Sequence, residues 1–305
     1  MQSITPFRSS EISRIQVGHL DSKFNRRFTN ITSKRVGGGS RSNIRELSRQ
    51  SRTRLIYKAR NISGLMSMVT FTYPGIEWAE TATGGDFMND GKAVKNHLRK
   101  IRQLFTYRGI YGFWFLEFQK RGAPHFHFIL SKTLENSDLD KIRKTWYKMV
   151  GTACPHHRTK GVDHQILRKP HAAGAYAAKY SSKSDQKTVP DRYTSVGRFW
   201  GLFGDLPTGS NEIQLPLKEM HKLVRIARAA QKSHCRARGY KHKFRDSGSG
   251  TGGLTLYNTG FALRYYLNQV YPDISQLPDF NITTQHCSYS SIPPSSLLSV
   301  AKSSA

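Results

Sequence analysis

The sequence predicts an α+β fold. Its centre is an antiparallel sheet of split βαβ, ferredoxin-like type carrying helices, with a basic N-terminal arm before it and a small helical C-terminal region after it. Three observations predict this. Between 65 and 183, β-branched and aromatic runs alternate with runs whose apolar residues recur at helical spacing, in the order β-α-β-β-α-β and then a helix. Residues 1–60 hold 14 Lys/Arg, 3 acids and the run VGGGSRS, which reads as a mostly disordered basic arm. No apolar run reaches the roughly 18 residues needed to span a bilayer, so no membrane segment is expected.

The elements follow in order. LMSMVTFTYP (65–74) is β-branched and aromatic and stops at Pro74, as a strand does. GIEWAETATGGDFMND reads as a loop. Over 92–105, Val94, Leu98, Ile101 and Phe105 mark one face of a helix. YGFWFLEFQ (111–119) and PHFHFILS (124–131) are strands. SDLDKIRKTWYKMV (137–150) has Ser137 as N-cap candidate and an apolar face of Leu139, Ile142, Trp146 and Met149. GVDHQILR (161–168) is a short strand. KPHAAGAYAAKYSSK (169–183) opens with a proline suited to a first helical turn and is rich in alanine. A sheet of this kind packs helices on one face and leaves the other free for a flat or grooved ligand.

The domain reading follows from these runs. An arm occupies 1–60, a central domain 61–205, a basic helical segment 206–246, and a linker, small appendage and loose tail 247–305. Within that basic segment, nine Lys/Arg and no acid lie between His221 and Arg245.

Lys plus Arg total 48 against 20 for Asp plus Glu, a net charge of +28. A chain this positive repels itself unless it meets a polyanion, and nucleic acid is the commonest one. A solvated basic surface is the alternative. Candidate DNA-contacting cations are Arg121, Lys183, Arg198, Arg225 and Arg228. The N-terminus lacks the apolar core of a signal peptide, so the expected location is the cytoplasm. The three cysteines lie far apart. CPHH brings Cys154, His156 and His157 together with His164 nearby, but no fourth zinc ligand stands at sensible spacing. A reduced thiol beside loop histidines is the expectation.

The stretch EFQKRGAPHFHFIL carries the chemistry. In a strand, residues i and i+2 share a face, so His125 and His127 point the same way and Phe126 the other. Two neutral imidazoles so placed reach one cation. KRG (120–122) fits a three-residue loop with glycine in the left-handed position. That loop sets Glu117 opposite His125 and Phe115 opposite His127, adding a carboxylate to the histidine face; a two-residue turn would send it to the far side. Asp163, His164 and Gln165 are rival third ligands. Nitrogen and oxygen donors without thiolate suit Mg²⁺ or Mn²⁺. Two ordinary strand histidines are the plain alternative.

AYAAKYSSK places Tyr176 and Tyr180 at i and i+4 on one helix face, with Lys179 and Lys183 on the same side. Small neighbours let this helix approach another surface closely, and it follows the last sheet strand directly, so it is placed to lean over the histidine face. Near a divalent ion and lysine charge, a phenol oxygen becomes a plausible nucleophile toward a phosphodiester. A core aromatic stripe is the alternative.

PHFHF, followed about 50 residues later by YAAKY and preceded by TFTYP at 70–74, resembles the HUH endonucleases, specifically the rolling-circle replication initiators (Rep proteins) of plasmids and small phages. GRFWG (197–201) is similar to a segment after the tyrosine helix in related initiators. The resemblance covers about 65–204. It implies an endonuclease that nicks one strand at a single-stranded or extruded origin, joins a tyrosine to the 5′ phosphate and leaves a 3′-OH for host polymerase. On that resemblance Tyr176 is the first nucleophile, Tyr180 its partner, and His125, His127 and Glu117 the metal ligands. No P-loop is present, which implies a separate helicase. A relaxase or transposase of the same superfamily, or a noncatalytic single-strand binder, are the other readings.

Overall fold

The computed structural model describes residues 12–18, 21–25, 44–74, 91–168, 172–182, 188–191, 193, 196–207, 210–240 and 253–270. The chain divides into two compact units, Gly37–Pro207 and a second formed by Met1–Val36 with Thr208–Ala305.

The first unit runs α1 (Arg49–Asn61), β3 (Ser67–Thr72), α2 (Gly91–Thr106), β4 (Gly112–Phe118), β5 (Pro124–Leu130), α3 (Asn136–Val150), α4 (Pro155–Lys160), β6 (Val162–Ile166), α5 (Ala172–Ser182) and β7 (Trp200–Phe203). Its five strands lie in the order β6-β3-β5-β4-β7 and every neighbouring pair is antiparallel. β3-α2-β4 and β5-α3-α4-β6 are split βαβ units, so the predicted class and element order hold, and β7 adds an edge strand beside β4.

Period-two alternation gives each sheet face its own composition. One face carries Val69, Phe71, Trp114, Leu116, Phe126, Phe128 and Leu130. It is sealed by Val94, Leu98, Ile101 and Phe105 of α2 and by Leu139, Ile142, Trp146 and Val150 of α3. Aromatic edges fill the centre: Phe71 meets Phe128 at 5.6 Å and Trp146 at 5.2 Å between ring centroids.

The opposite face is not free, as the sequence reading expected. Its apolar half, with Met68, Phe113, Phe115 and Ile129, is covered by Leu55 and Ala59 of α1 and by Ala173 and Ala177 of α5. α1 starts at Ser48, whose side chain accepts from the Ser51 amide, and Trp200 Nε1 donates to Ser51 Oγ at 2.8 Å. At the contact between α1 and α5, a Cβ on Gly174 would come within 2.6 Å of Arg60 Cγ, so a small residue lets the two helices approach. α3 begins at Asn136 with Glu135 as N-cap and no side-chain bond, so Ser137 is not the cap.

The second unit runs β1 (Ile12–Gly18), β2 (Ser22–Asn25), β8 (Ser210–Pro216), α6 (Leu217–Arg236), β9 (Gly253–Leu256) and α7 (Gly260–Val270), with an antiparallel sheet ordered β8-β1-β2-β9. Ile15, Val17, Phe24, Ile213 and Leu256 of the sheet pack with Met220, Leu223, Ile226 and Ala227 of α6 and Leu263 and Leu267 of α7. This corrects the domain reading in three places. Residues 1–60 include two strands and a helix. The basic segment begins with a strand, and the supposed appendage supplies a strand and a helix to a shared core. β1 carries only alternate apolar residues amid charge, and its hydrogen-bonding partners in β8 lie about 200 residues away in sequence, so no local pattern reveals it. The loop 75–90, the VGGGSRS run, Pro170, most of the glycine-rich linker and the tail beyond Asn281 lie outside the described residues.

Candidate functional site

The β4–β5 loop turns through Lys120, Arg121 and Gly122, with Gln119 N donating to Ala123 O and Gly122 at φ +80°. Only glycine takes that conformation at little cost. Glu117 therefore faces His125, and Phe115 faces His127, the register expected of a three-residue loop. β3 continues the row on the other side: Thr72 faces His125 and Thr70 faces His127. One sheet face thus collects Glu117, His125, His127, Thr70 and Thr72.

His127 and Glu117 are both buried, about 4% and 5% exposed. His127 Nε2 stands 3.2 Å from Glu117 Oε2, and its Nδ1 stands 3.0 Å from Thr70 Oγ1. The Phe115 ring stacks on His127 at 4.7 Å and His125 stacks on its other side at 4.6 Å. A carboxylate held against stacked rings, away from water, costs free energy that packing alone does not require. Its presence marks a functional position. His125 is half-exposed. Its Nδ1 lies 3.1 Å from Gln119 Nε2, whose amide is oriented by Arg121 Nε donating to Oε1, and its Nε2 lies 3.5 Å from Thr72 Oγ1.

The donor chemistry fits a divalent ion at one pair. For metal–ligand bonds of about 2.1 Å, adjacent ligands of an octahedral ion lie about 3.0 Å apart, close to the 3.2 Å between His127 Nε2 and Glu117 Oε2. Thr70 supports this, because a hydroxyl accepts as readily as it donates. With Thr70 accepting from Nδ1–H, the Nε2 lone pair of His127 is free to bind. His125 as placed is turned to Gln119 and Thr72, and among the described residues no three His, Cys, Asp or Glu side chains converge as a metal site.

The rivals on β6 separate by register. Asp163 faces Thr70 and Gln165 faces Met68, so both share the histidine face, one strand beyond β3. There Gln165 donates to Asp163. His164 faces Val69 and points to the opposite face, which removes it as a ligand. Burial lowers its pKa, with Asp163 opposing and Arg143 adding to the shift. His157, on α4 rather than in a loop, is buried and its Nε2 donates to the Thr72 carbonyl; burial lowers its pKa. Cys154 is exposed and free. CPHH is thus a helix start, with Pro155 in the first turn.

α5 lies on the histidine side of the sheet. Its Ala173 and Ala177 join the cluster containing Phe115, and Tyr176, half-buried, packs against the same cluster. Lys179 is exposed. The Tyr180 side chain and Lys183 lie outside the described residues. Arg121 is half-buried and also donates to the Tyr73 carbonyl at 2.7 Å; Arg198 is exposed. Arg225, exposed, and Arg228, half-buried, stand on α6 of the second unit.

Thr70, Thr72 and Gln119 carry no role in the sequence reading. The signal was present: T-x-T on one strand matches H-x-H on its neighbour, both at period two.

Fold and site together define an α+β protein that gathers histidine, carboxylate and tyrosine-helix residues on one face of a ferredoxin-like sheet. A family model described as a replication-associated protein of the ORF2 kind matches residues 66–185, the stretch from just before β3 to just past α5. The match covers less than half the chain and supports a replication-associated protein of initiator type. No curated protein and no solved structure gives a significant match. Among the described residues no helix is long and apolar enough to cross a membrane.

Proposed function

We propose that the chain is a replication initiator of the HUH type that nicks one strand of origin DNA through Tyr176, with a separate helicase and polymerase completing replication. The observation that carries this reading is the shared face: the register sets Glu117, His125 and His127 on the side of the sheet against which α5 packs Tyr176.

In this reading His127 and Glu117 hold a divalent ion, Mg²⁺ or Mn²⁺. His125, one stacked ring away, completes the set when its bond to Gln119 is exchanged. The bound ion supplies positive charge at a non-bridging oxygen of the scissile phosphate. Tyr176 Oη attacks phosphorus, the P–O3′ bond breaks, the phenol loses its proton and the leaving 3′ oxygen gains one. The product is a 5′-phosphotyrosine diester and a free 3′-OH. One diester replaces another, so the 3′-OH reverses the step without ATP. Lys179, exposed on the same helix, adds charge against the phosphate. Tyr180 is the second nucleophile in this scheme. The burial of Phe113 and Phe115 speaks against a noncatalytic stacking platform, which needs its rings open to bases.

The test incubates the full chain with labelled single-stranded DNA pools and Mn²⁺ and resolves products on a denaturing gel. A denaturation-resistant conjugate is expected, lost in Tyr176→Phe while DNA binding by anisotropy is kept. Absence of any conjugate across the pools sinks the nuclease reading. Loss in Tyr180→Phe alone would move the nucleophile.

A further inference from the structure

We infer that the second unit is a separate duplex-DNA grip, whose helix α6 lays a stripe of cations along the phosphate backbone without reading bases. It goes beyond the nuclease reading and does not depend on it.

The stripe comes from helical spacing. His221, Arg225, Lys232 and Arg236 are exposed. Steps of four, seven and four residues put them within roughly 60° of one another around the helix. Met220, Leu223, Ile226, Ala227 and Ala230 are buried in the unit's core, and the same spacing places them on the opposite side. From His221 to Arg236 the stripe runs about 22 Å at about 1.5 Å per residue. Over that length duplex DNA presents about 13 phosphates, at one charge per about 1.7 Å.

A merely solubilising face alternates sign. Here the only acid on α6 is Glu219, which pairs with Lys222 at 3.3 Å at the first turn. Beyond it, Arg225/Arg228, Arg228/Lys232 and Lys232/Arg236 are like charges three or four residues apart. Each such pair destabilises the helix by about 0.2–0.5 kcal/mol. A polyanion removes that repulsion, and counterion release adds affinity. The stripe residues include no Phe, Tyr or Trp. Single-strand binding leans on stacked aromatic rings, so a stripe of cations alone suits the regular backbone of a duplex.

The test measures binding of the full chain to an arbitrary 30-base-pair duplex and to its single strand by anisotropy, across a salt series. The variant is Arg225→Gln/Lys232→Gln/Arg236→Gln. Its control is Lys141→Gln/Lys144→Gln/Lys148→Gln on α3, three exposed cations of the first unit with the same loss of charge. The slope of log affinity against log salt should fall by about 0.9 per lost contact, close to about 3 in all, for the α6 variant on duplex. The control should change it far less. Equal losses in both variants would mean that net charge alone acts, and would overturn the assignment. A loss confined to single-stranded DNA would overturn the choice of duplex. Tyrosine–DNA conjugate formed in parallel on the single strand reads the nuclease proposal separately.

Discussion

The two faces of the five-stranded sheet are made by the same strands and differ in purpose. The face under α2 and α3 is apolar from edge to edge and closed by Phe71, Phe105, Phe128 and Trp146. The face under α1 and α5 is apolar only where Met68, Phe113 and Ile129 lie; toward the β4–β5 hairpin it turns to Glu117, His125, His127, Thr70 and Thr72. The closed face supplies stability. The open end of the other face sets polar groups in a dry setting, where they are costly to fold and strong in chemistry.

The largest expected effect tests the closed face. Phe128 is fully buried against Phe71, Phe105 and Phe203. Phe128→Ala should lower unfolding free energy by about 3–5 kcal/mol in a urea titration. Glu117→Gln should cost far less while weakening Mn²⁺ binding, and equal losses of stability would erase the contrast between the faces.

A second effect tests the histidine of the closed side. His97 accepts from Tyr73 at 2.9 Å, and burial, aided by Lys100, pulls its pKa down to about 4 against a backbone bond to Met149 that raises it. A depressed histidine stays neutral in the fold while the unfolded chain takes up a proton near its ordinary value of about 6.5. Stability from this site is therefore complete above about pH 6.5 and is lost as pH falls toward 4, by up to about 3 kcal/mol. Burial pushes the Tyr73 phenol well up, so it remains a donor throughout. Urea melts between pH 7 and 4 should show the decline, and His97→Gln should flatten it; an unchanged slope would remove His97 as the cause.

A third effect sharpens the polar end. Thr70→Val keeps shape but takes away the partner of His127 Nδ1. Mn²⁺ affinity by calorimetry should fall about 10–100-fold, with recovery in Thr70→Ser, whereas a purely structural role would give no such recovery.

The smallest effect probes the register itself. Gly122→Ala, at φ +80°, should cost about 1 kcal/mol in thermal melts and leave the fold intact.

Much of this was legible in the chain. H-x-H in an aromatic run, a K-R-G loop and helical spacing at 94–105 and 139–150 state local rules: period two, a left-handed glycine, period 3.6. Those rules fix the strands, the hairpin register and the face on which Glu117 and the histidines meet. His164 shows the limit, since only its pairing with Val69 of β3 shows that it points away.

By itself, then, the sequence determined the element order of the central unit and the pairing of Glu117 with His125, because both follow from contacts a few residues apart. Tertiary structure decided the rest. It closed half of the second face with α1 and α5, and turned His125 toward Gln119. It also drew β1 and β2 into a sheet with strands from the far end of the chain. Those outcomes depend on which distant surfaces exclude water together, and a charged, weakly apolar segment carries no local mark of its partner.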